Sequence, residues 1–172
     1  MQPGQVIADR YRIEQPIGEG GIGRVFRARD LHTREAVAIK CLRNEFAKDA
    51  RVRRRFMREG RAVARLQHPH IVRLYACGES GDTPYIAMEL IEGTPLSEHR
   101  DQGLHLDTLL AIADQTLSAL AFAHARGVVH RDVKPENILV SWVDRGHRPY
   151  VKLLDFGFAR VEDDQEIGRA HV

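Results

Sequence analysis

Gly18, Gly20 and Gly23 form the spacing G-x-G-x-x-G between two stretches that both read as strands. Tyr11-Arg12-Ile13 leads in, and Val25-Phe26-Arg27-Ala28-Arg29 leads out. Glycine lets backbone N–H groups approach a phosphate closely, but dinucleotide-binding turns and plain loops share this spacing. A dinucleotide-binding turn opens a helix at its third glycine. Here the continuation is β-branched and aromatic, which excludes a doubly wound nucleotide fold. Two readings remain: a glycine flap lying over a nucleotide between antiparallel strands, or an ordinary hairpin.

Composition narrows the setting. The chain has 172 residues, 43% of them hydrophobic, which suits one domain or two small lobes sharing a core and argues against disorder. Its 26 Lys+Arg against 24 Asp+Glu leave a net charge of +2, so binding nucleic acid by bulk charge is excluded. No uninterrupted apolar run approaches 18 residues, so no membrane segment is expected. Met1-Gln2-Pro3-Gly4 lacks the basic and apolar regions of a signal peptide. Two cysteines, Cys41 and Cys77, make no disulfide framework and fit a reducing cytoplasm.

Along the chain, Ala36-Val37-Ala38-Ile39-Lys40 reads as a further strand of an antiparallel set. Val52, Phe56, Glu59, Val63 and Leu66 are spaced 4, 3, 4 and 3, which predicts a helix from about 49 to 66, closed by His68-Pro69. Ile71-Val72-Arg73-Leu74-Tyr75 and Tyr85-Ile86-Ala87-Met88 predict two more strands around a Gly- and Asp-containing turn. Gly93-Thr94-Pro95 marks the change from a β-rich part to a helical one. Apolar residues at 106, 109, 110, 113, 117, 120 and 121 predict a long amphipathic helix from Leu106 to Ala125, with Gly127 just past its end. Two short strands follow, Ile138-Leu139-Val140 and Tyr150-Val151-Lys152-Leu153-Leu154, joined by the polar stretch 144–148.

Strand alternation points Ala38 and Lys40 to one face and Val37 and Ile39 to the other, so a flat ring could lie near Ala38 with an ammonium close by. A solvated lysine at a strand end is the plainer reading. Glu59 interrupts an apolar stripe, where an unpaired carboxylate is costly, and Lys40 is its best cationic partner. Pairing with Arg55 or Arg58 at the stripe's edge is the alternative. Seven arginines between 51 and 65 cover the other helix faces, either as a solvated surface or as a docking patch for an acidic partner. The densest chemistry lies in His130-Arg131-Asp132-Val133-Lys134-Pro135-Glu136-Asn137 and Asp155-Phe156-Gly157. It holds a proton acceptor, a cation two residues on, an amide oxygen and a further carboxylate. Hard oxygens of this kind, with phosphate, suit Mg²⁺.

Taken together and in order, Gly18 to Val25, Val37-Ala38-Ile39-Lys40, Glu59, His130-Arg131-Asp132 to Asn137 and Asp155-Phe156-Gly157 resemble the protein-kinase signature set. The chain resembles a bacterial-type (Hanks-type) serine/threonine protein kinase from Tyr11 to about Arg160. The resemblance implies an α+β, protein-kinase-like bilobal fold: an N-lobe over 11–90, with an antiparallel sheet and one helix, and an incomplete helical C-lobe over 91–172. It implies ATP and Mg²⁺ as cofactors and protein substrates with Ser/Thr acceptors. Ile17, Gly18, Glu19, Gly20, Gly21, Ile22, Gly23, Arg24 and Val25 would cover the ATP phosphates. Lys40 would hold the α/β-phosphates, oriented by Glu59. Val25, Ala38 and Leu139 would sandwich the adenine, with Met88 as gatekeeper and Glu89, Leu90 and Ile91 as hinge. Asp132 would accept the substrate hydroxyl proton, Lys134 would steady the γ-phosphate, and Asn137 and Asp155 would hold the metal.

Two departures from that pattern carry expectations. The hairpin after Asn137 is longer than usual, and its excess, Asp144 to Arg148, is expected to be an exposed, chemically neutral loop. Only 15 residues follow Gly157, without an Ala-Pro-Glu motif or a Ser, Thr or Tyr to pair with Arg131 when phosphorylated. The chain is therefore expected to be truncated after the Asp-Phe-Gly motif, with a membrane anchor beyond residue 172 open in the complete protein. Residues 167–172 are a candidate non-native tail, since a short-read library adapter would encode Ile-Gly-Arg-Ala-His-Val; a genuine tail with a chance match is the alternative. The apolar stripe of the long helix would lose its partner. Made alone, the 172-residue chain is expected to be poorly soluble and inactive on proteins. The competing reading is an inert ATP-binding fragment or interaction module. A small-molecule phosphotransferase fits the Asp-Val-Lys-Pro-Glu-Asn and Asp-Phe-Gly pattern less well.

Overall fold

In the computed structural model, residues 1–143 and 148–156 are described, apart from the side chains of Glu59, Asp101 and Gln102. Of the expected loop residues 144–148, Arg148 instead opens a strand, while 144–147 and everything from Gly157 onward, including the 167–172 segment, lie outside the described residues.

Alternating apolar residues build a six-stranded antiparallel sheet in the order β1-β2-β3-β4-β6-β5. Its strands are β1 (Val6–Ile7), β2 (Tyr11–Glu19), β3 (Gly23–Asp30), β4 (Ala36–Leu42), β5 (Leu74–Ser80) and β6 (Thr83–Glu89). The alternation expected of β4 holds. Val37 and Ile39 join Tyr11, Ile13, Phe26 and Tyr85 in a core on one face, while Ala38 joins the main core on the other. β2 is interrupted between Ile13 and Gln15 and between Pro16 and Gly18, where irregular pairing bends the strand as it nears the glycines. Cys41 is buried within the sheet, which pushes its thiol up to about 12, and it is not disulfide-bonded.

A short helix, α1 (Asn44–Ala47), leads into α2 (Ala50–Val63). Asp49 caps α2 by accepting from the N–H groups of Arg51 and Val52 at 2.7 and 3.3 Å. Val52, Phe56 and Val63 are buried against the sheet, as the helical spacing implies. The strand expected over 71–75 starts only at Leu74. Ile71 instead forms a parallel bridge to Leu153, and the Val72 N–H donates to the Leu153 carbonyl at 3.0 Å. Ile71 and Val72 are both buried because this stretch crosses between layers rather than lying on one.

The second part is built on a three-stranded sheet, β7 (Thr94–Pro95), β8 (Ile138–Val143) and β9 (Arg148–Leu153). The Gly93-Thr94-Pro95 connector is thus itself an edge strand. A Cβ at Gly93 would sit 2.8 Å from the Val140 carbonyl oxygen, so only glycine allows that approach. The long helix, α3 (Leu106–His124), lies against β9, where Gln115 bonds the Pro149 carbonyl and the Val151 N–H. Ile112, Thr116, Ala119 and Ala123 form its buried face. Of the apolar stripe expected at 106, 109, 110, 113, 117, 120 and 121, Leu120 is half-buried against the core and the others lie on the exposed face, with Leu106 70% and Leu117 64% exposed. By length and composition α3 could cross a membrane, with a mean hydropathy of 1.3. Only 22% of that stretch is buried, on the side that packs against β9. One apolar cluster runs from Ala38 and Met88 through Phe56 and Ile71 to Val140, Leu153 and Phe156, joining the two parts.

Candidate active site

The crevice between the parts is where the chemistry-bearing residues meet. Lys40, on the last turn-ward half of β4, is 6% exposed, and its Nζ donates to Asp155 Oδ1 at 2.5 Å. Asp155 follows β9 with φ at 51°, a left-handed conformation that turns the chain sharply before Phe156. Phe156 is buried against the His130 ring, with centroids 4.5 Å apart. His130 Nε2 lies 2.6 Å from the Leu154 carbonyl, and its Nδ1 accepts from the Asp132 N–H at 3.3 Å. These partners fix one tautomer, with the proton on Nε2. Burial pulls the His130 pKa below its ordinary value, so the ring is neutral near pH 7.

His130 thereby ties the loop it opens to the segment holding Asp155. Arg131, at φ 64°, reverses the chain and presents Asp132. Lys134 Nζ lies 2.8 Å from Asp132 Oδ2, and Asn137 Nδ2 donates to the Asp132 carbonyl and to Oδ2 at 2.8 and 3.0 Å. The Lys134 ammonium, aided by Asn137, holds the Asp132 carboxyl below the usual range, and Asp132 in turn raises Lys134. Both charges are therefore kept at neutral pH. Asn137 is buried and its backbone carbonyl accepts from the Leu154 N–H at 2.8 Å, so loop and following hairpin are locked together. Its amide nitrogen is engaged by Asp132, which leaves the amide oxygen as its available donor atom. With the Asp155 carboxylate this is a hard oxygen set that fits Mg²⁺. No cluster of three or more His, Cys, Asp or Glu occurs among the described residues.

The glycine hairpin closes on a Gly20 N–H to Gly23 carbonyl bond of 2.9 Å. Gly23 is buried because a Cβ there would sit 2.8 Å from the Cys41 carbonyl oxygen, whereas one at Gly21 would meet nothing within 4 Å. Ile17, Gly18, Glu19, Gly20, Gly21 and Arg24 are exposed along the flap, while Ile22 and Val25 are half-buried against the main core. Glu19 is held by Arg43 at 2.7 Å and Arg24 at 3.4 Å, which braces the flap's base. Ala38 pairs with Met88 across β4 and β6, and both are buried. Leu90 and Ile91 follow, half-buried, and Leu139 lies on the β8 face opposite Ile138 and Val140.

Two features were beyond local spacing. Lys40 pairs with Asp155, 115 residues away. Glu89, expected only as hinge, accepts from Lys152 Nζ and from the Arg73 N–H, both at 2.6 Å, so its side chain ties the sheet to β9. Glu59 lies on α2, but its side chain is outside the described residues, as is Gly157.

Comparison with known proteins agrees with this architecture. The model of the protein kinase domain matches residues 11–169. The chain is 43% identical over 170 residues to the serine/threonine-protein kinase pkn3 of Myxococcus xanthus, covering 97% of this chain and 31% of that protein. It is 42% identical to PrkC of Bacillus subtilis, covering 92% of this chain and 24% of that protein. The crystal structure of the Mycobacterium tuberculosis PknI kinase domain superposes with a TM-score of 0.80 at 33% identity, covering 93% of this chain and 64% of that one. The chain belongs to the protein kinase family, in its bacterial serine/threonine branch. It spans about a quarter to a third of those two curated relatives and about two thirds of the solved kinase domain.

Proposed function

We propose that this chain supplies the nucleotide cleft and catalytic loop of an enzyme that transfers the γ-phosphoryl group of ATP to Ser/Thr hydroxyls of proteins. The observation that carries the reading is the convergence of Asp132, Lys134 and Asn137 with the ion pair between buried Lys40 and half-buried Asp155.

In this reading the adenine lies between Val25 and Ala38 above and Leu139 below, with Met88 behind it and the backbone of Glu89 to Ile91 at its edge. The flap from Ile17 to Val25 excludes water from the phosphates, and Lys40, oriented by Glu59, binds the α/β-phosphates. Asp132 is kept ionised by Lys134 and Asn137, and so accepts the proton of the attacking hydroxyl. Lys134 then neutralises charge on the transferred group. Asn137 and Asp155 would hold Mg²⁺, which when bound neutralises phosphate charge. Positioning and preorganised charge carry the rate in such a site.

The test is transfer of radiolabel from γ-³²P-ATP to casein by the full-length gene product, followed by phosphoamino-acid analysis. Phosphoserine and phosphothreonine are expected. Label recovered only on tyrosine, or only as free phosphate, overturns the proposal.

A further inference from the structure

The outer face of α2 carries an arginine stripe that the phosphoryl-transfer reading leaves unused. Arg54, Arg58, Arg61 and Arg65 are spaced 4, 3 and 4, which stacks them on one side of the helix. All four are exposed, and none of their side chains makes an ion pair or hydrogen bond among the described residues. Between this stripe and β5 lies a groove of about 810 Å³, also lined by Met57 and Cys77. None of Lys40, Asp132, Asn137 or Asp155 borders it.

The groove is built by close approach of helix and strand. A Cβ at Gly60 of α2 would sit 2.9 Å from Cys77 Sγ of β5. The acid in its lining, Glu79, is already paired with Arg53 at 2.8 Å. The groove is therefore positive around a partly apolar base, in a molecule whose acids and bases otherwise nearly cancel. Like charges three and four residues apart weaken a helix, so carboxylates brought by a partner would stabilise α2. Four residues of helix rise ~6 Å. Alternate side chains of an extended chain are ~6.6 Å apart. An extended segment laid along α2 would thus present a carboxylate to each arginine in turn and its intervening apolar side chains to Met57 and Cys77.

We infer that the α2–β5 groove docks an extended segment of a partner protein in which carboxylate and apolar side chains alternate. The inference is independent of the proposed phosphoryl transfer, because its site shares no residue with the cleft. The probe is a fluorescein-labelled Glu-Leu-Glu-Leu-Glu-Leu-Glu peptide titrated with the full-length gene product and followed by anisotropy. Saturable binding is expected that weakens at least tenfold when every Glu is replaced by Gln, and at least tenfold in Arg58→Glu/Arg61→Glu. Arg54→Gln/Arg65→Gln serves as the milder variant, and Arg12→Glu, on the exposed side of β2, should leave binding unchanged. Circular dichroism checks that each variant keeps its fold. Equal binding of the Gln peptide, no effect of either arginine pair, or equal loss in Arg12→Glu overturns the inference. So does competition by a poly-dT oligonucleotide or phosphatidylglycerol vesicles as effective as that of the unlabelled peptide, since either would mark a general polyanion surface.

Discussion

Asp30 and Asp132 are each held ionised by a neighbouring cation, one to fix the fold and the other at the centre of the cleft. Arg10 binds Asp30 through Nε and Nη2 at 3.0 and 2.7 Å, and its guanidinium pulls the Asp30 pKa down to about 2. A folded pKa below the unfolded one contributes stability that is complete above about pH 4 and is lost as pH falls toward 2. Asp30→Asn is expected to cost about 2 kcal/mol at pH 7, from ~1.4 kcal/mol per pKa unit. Urea unfolding at pH 7 and pH 3 checks this: the cost should shrink at pH 3, and an equal cost at both would contradict it. His130 follows the same sign, because burial lowers its pKa and a neutral ring is the folded form. His130→Phe leaves the Leu154 carbonyl without its partner and is expected to cost about 1–3 kcal/mol. The wild type's loss of stability below about pH 6.5 should be weaker in this variant, as thermal unfolding across pH 5–8 would show. At this scale the sequence is legible where a side chain's role follows from its own element, as with Lys40 and Ala38 on alternate positions of β4. It is silent on pairs that tertiary contact creates, such as Lys40 with Asp155 or Glu89 with Lys152.

Among elements, α2 was readable in type and nearly in extent, since a capping aspartate, a 3–4 apolar spacing and a closing His-Pro all act locally. The segment 71–75 was not, because β-branched residues suit a strand equally well when they cross between layers and bond Leu153. The glycine hairpin shows how an element's geometry selects residues. Gly23→Ala puts a methyl against the Cys41 carbonyl and is expected to cost about 1–3 kcal/mol. Gly21→Ala, in open space, should change stability by less than about 0.5 kcal/mol. Thermal unfolding of the two variants side by side checks the contrast, and equal shifts would contradict it.

For the whole molecule, the signature residues disclosed the fold because each is spaced by the fold's own strands and loops. The two apolar faces of α3 were harder to separate, since a leucine-rich helix gives periodicity without naming which side is covered. Ile112, Ala119 and Ala123 meet β9 and the core, whereas Leu106, Leu109, Leu110 and Leu117 face outward. Exposed apolar patches of this kind drive association. The 172-residue chain is expected to aggregate at micromolar concentration. Leu109→Lys/Leu110→Lys/Leu117→Lys should raise the soluble fraction severalfold with unchanged circular dichroism. A soluble, monodisperse wild-type chain by light scattering would contradict this.

In the proposed phosphoryl transfer, Asp132, held ionised by Lys134 and Asn137, accepts the proton while other residues of the cleft bind ATP. Steady-state kinetics of Asp132→Asn in the full-length protein tests it most directly. The substitution keeps shape and removes the charge, so kcat should fall ~10²-fold or more while the KM for ATP stays within about threefold. A kcat within about threefold of wild type, or a loss carried entirely by KM, would mean that Asp132 is not the proton acceptor.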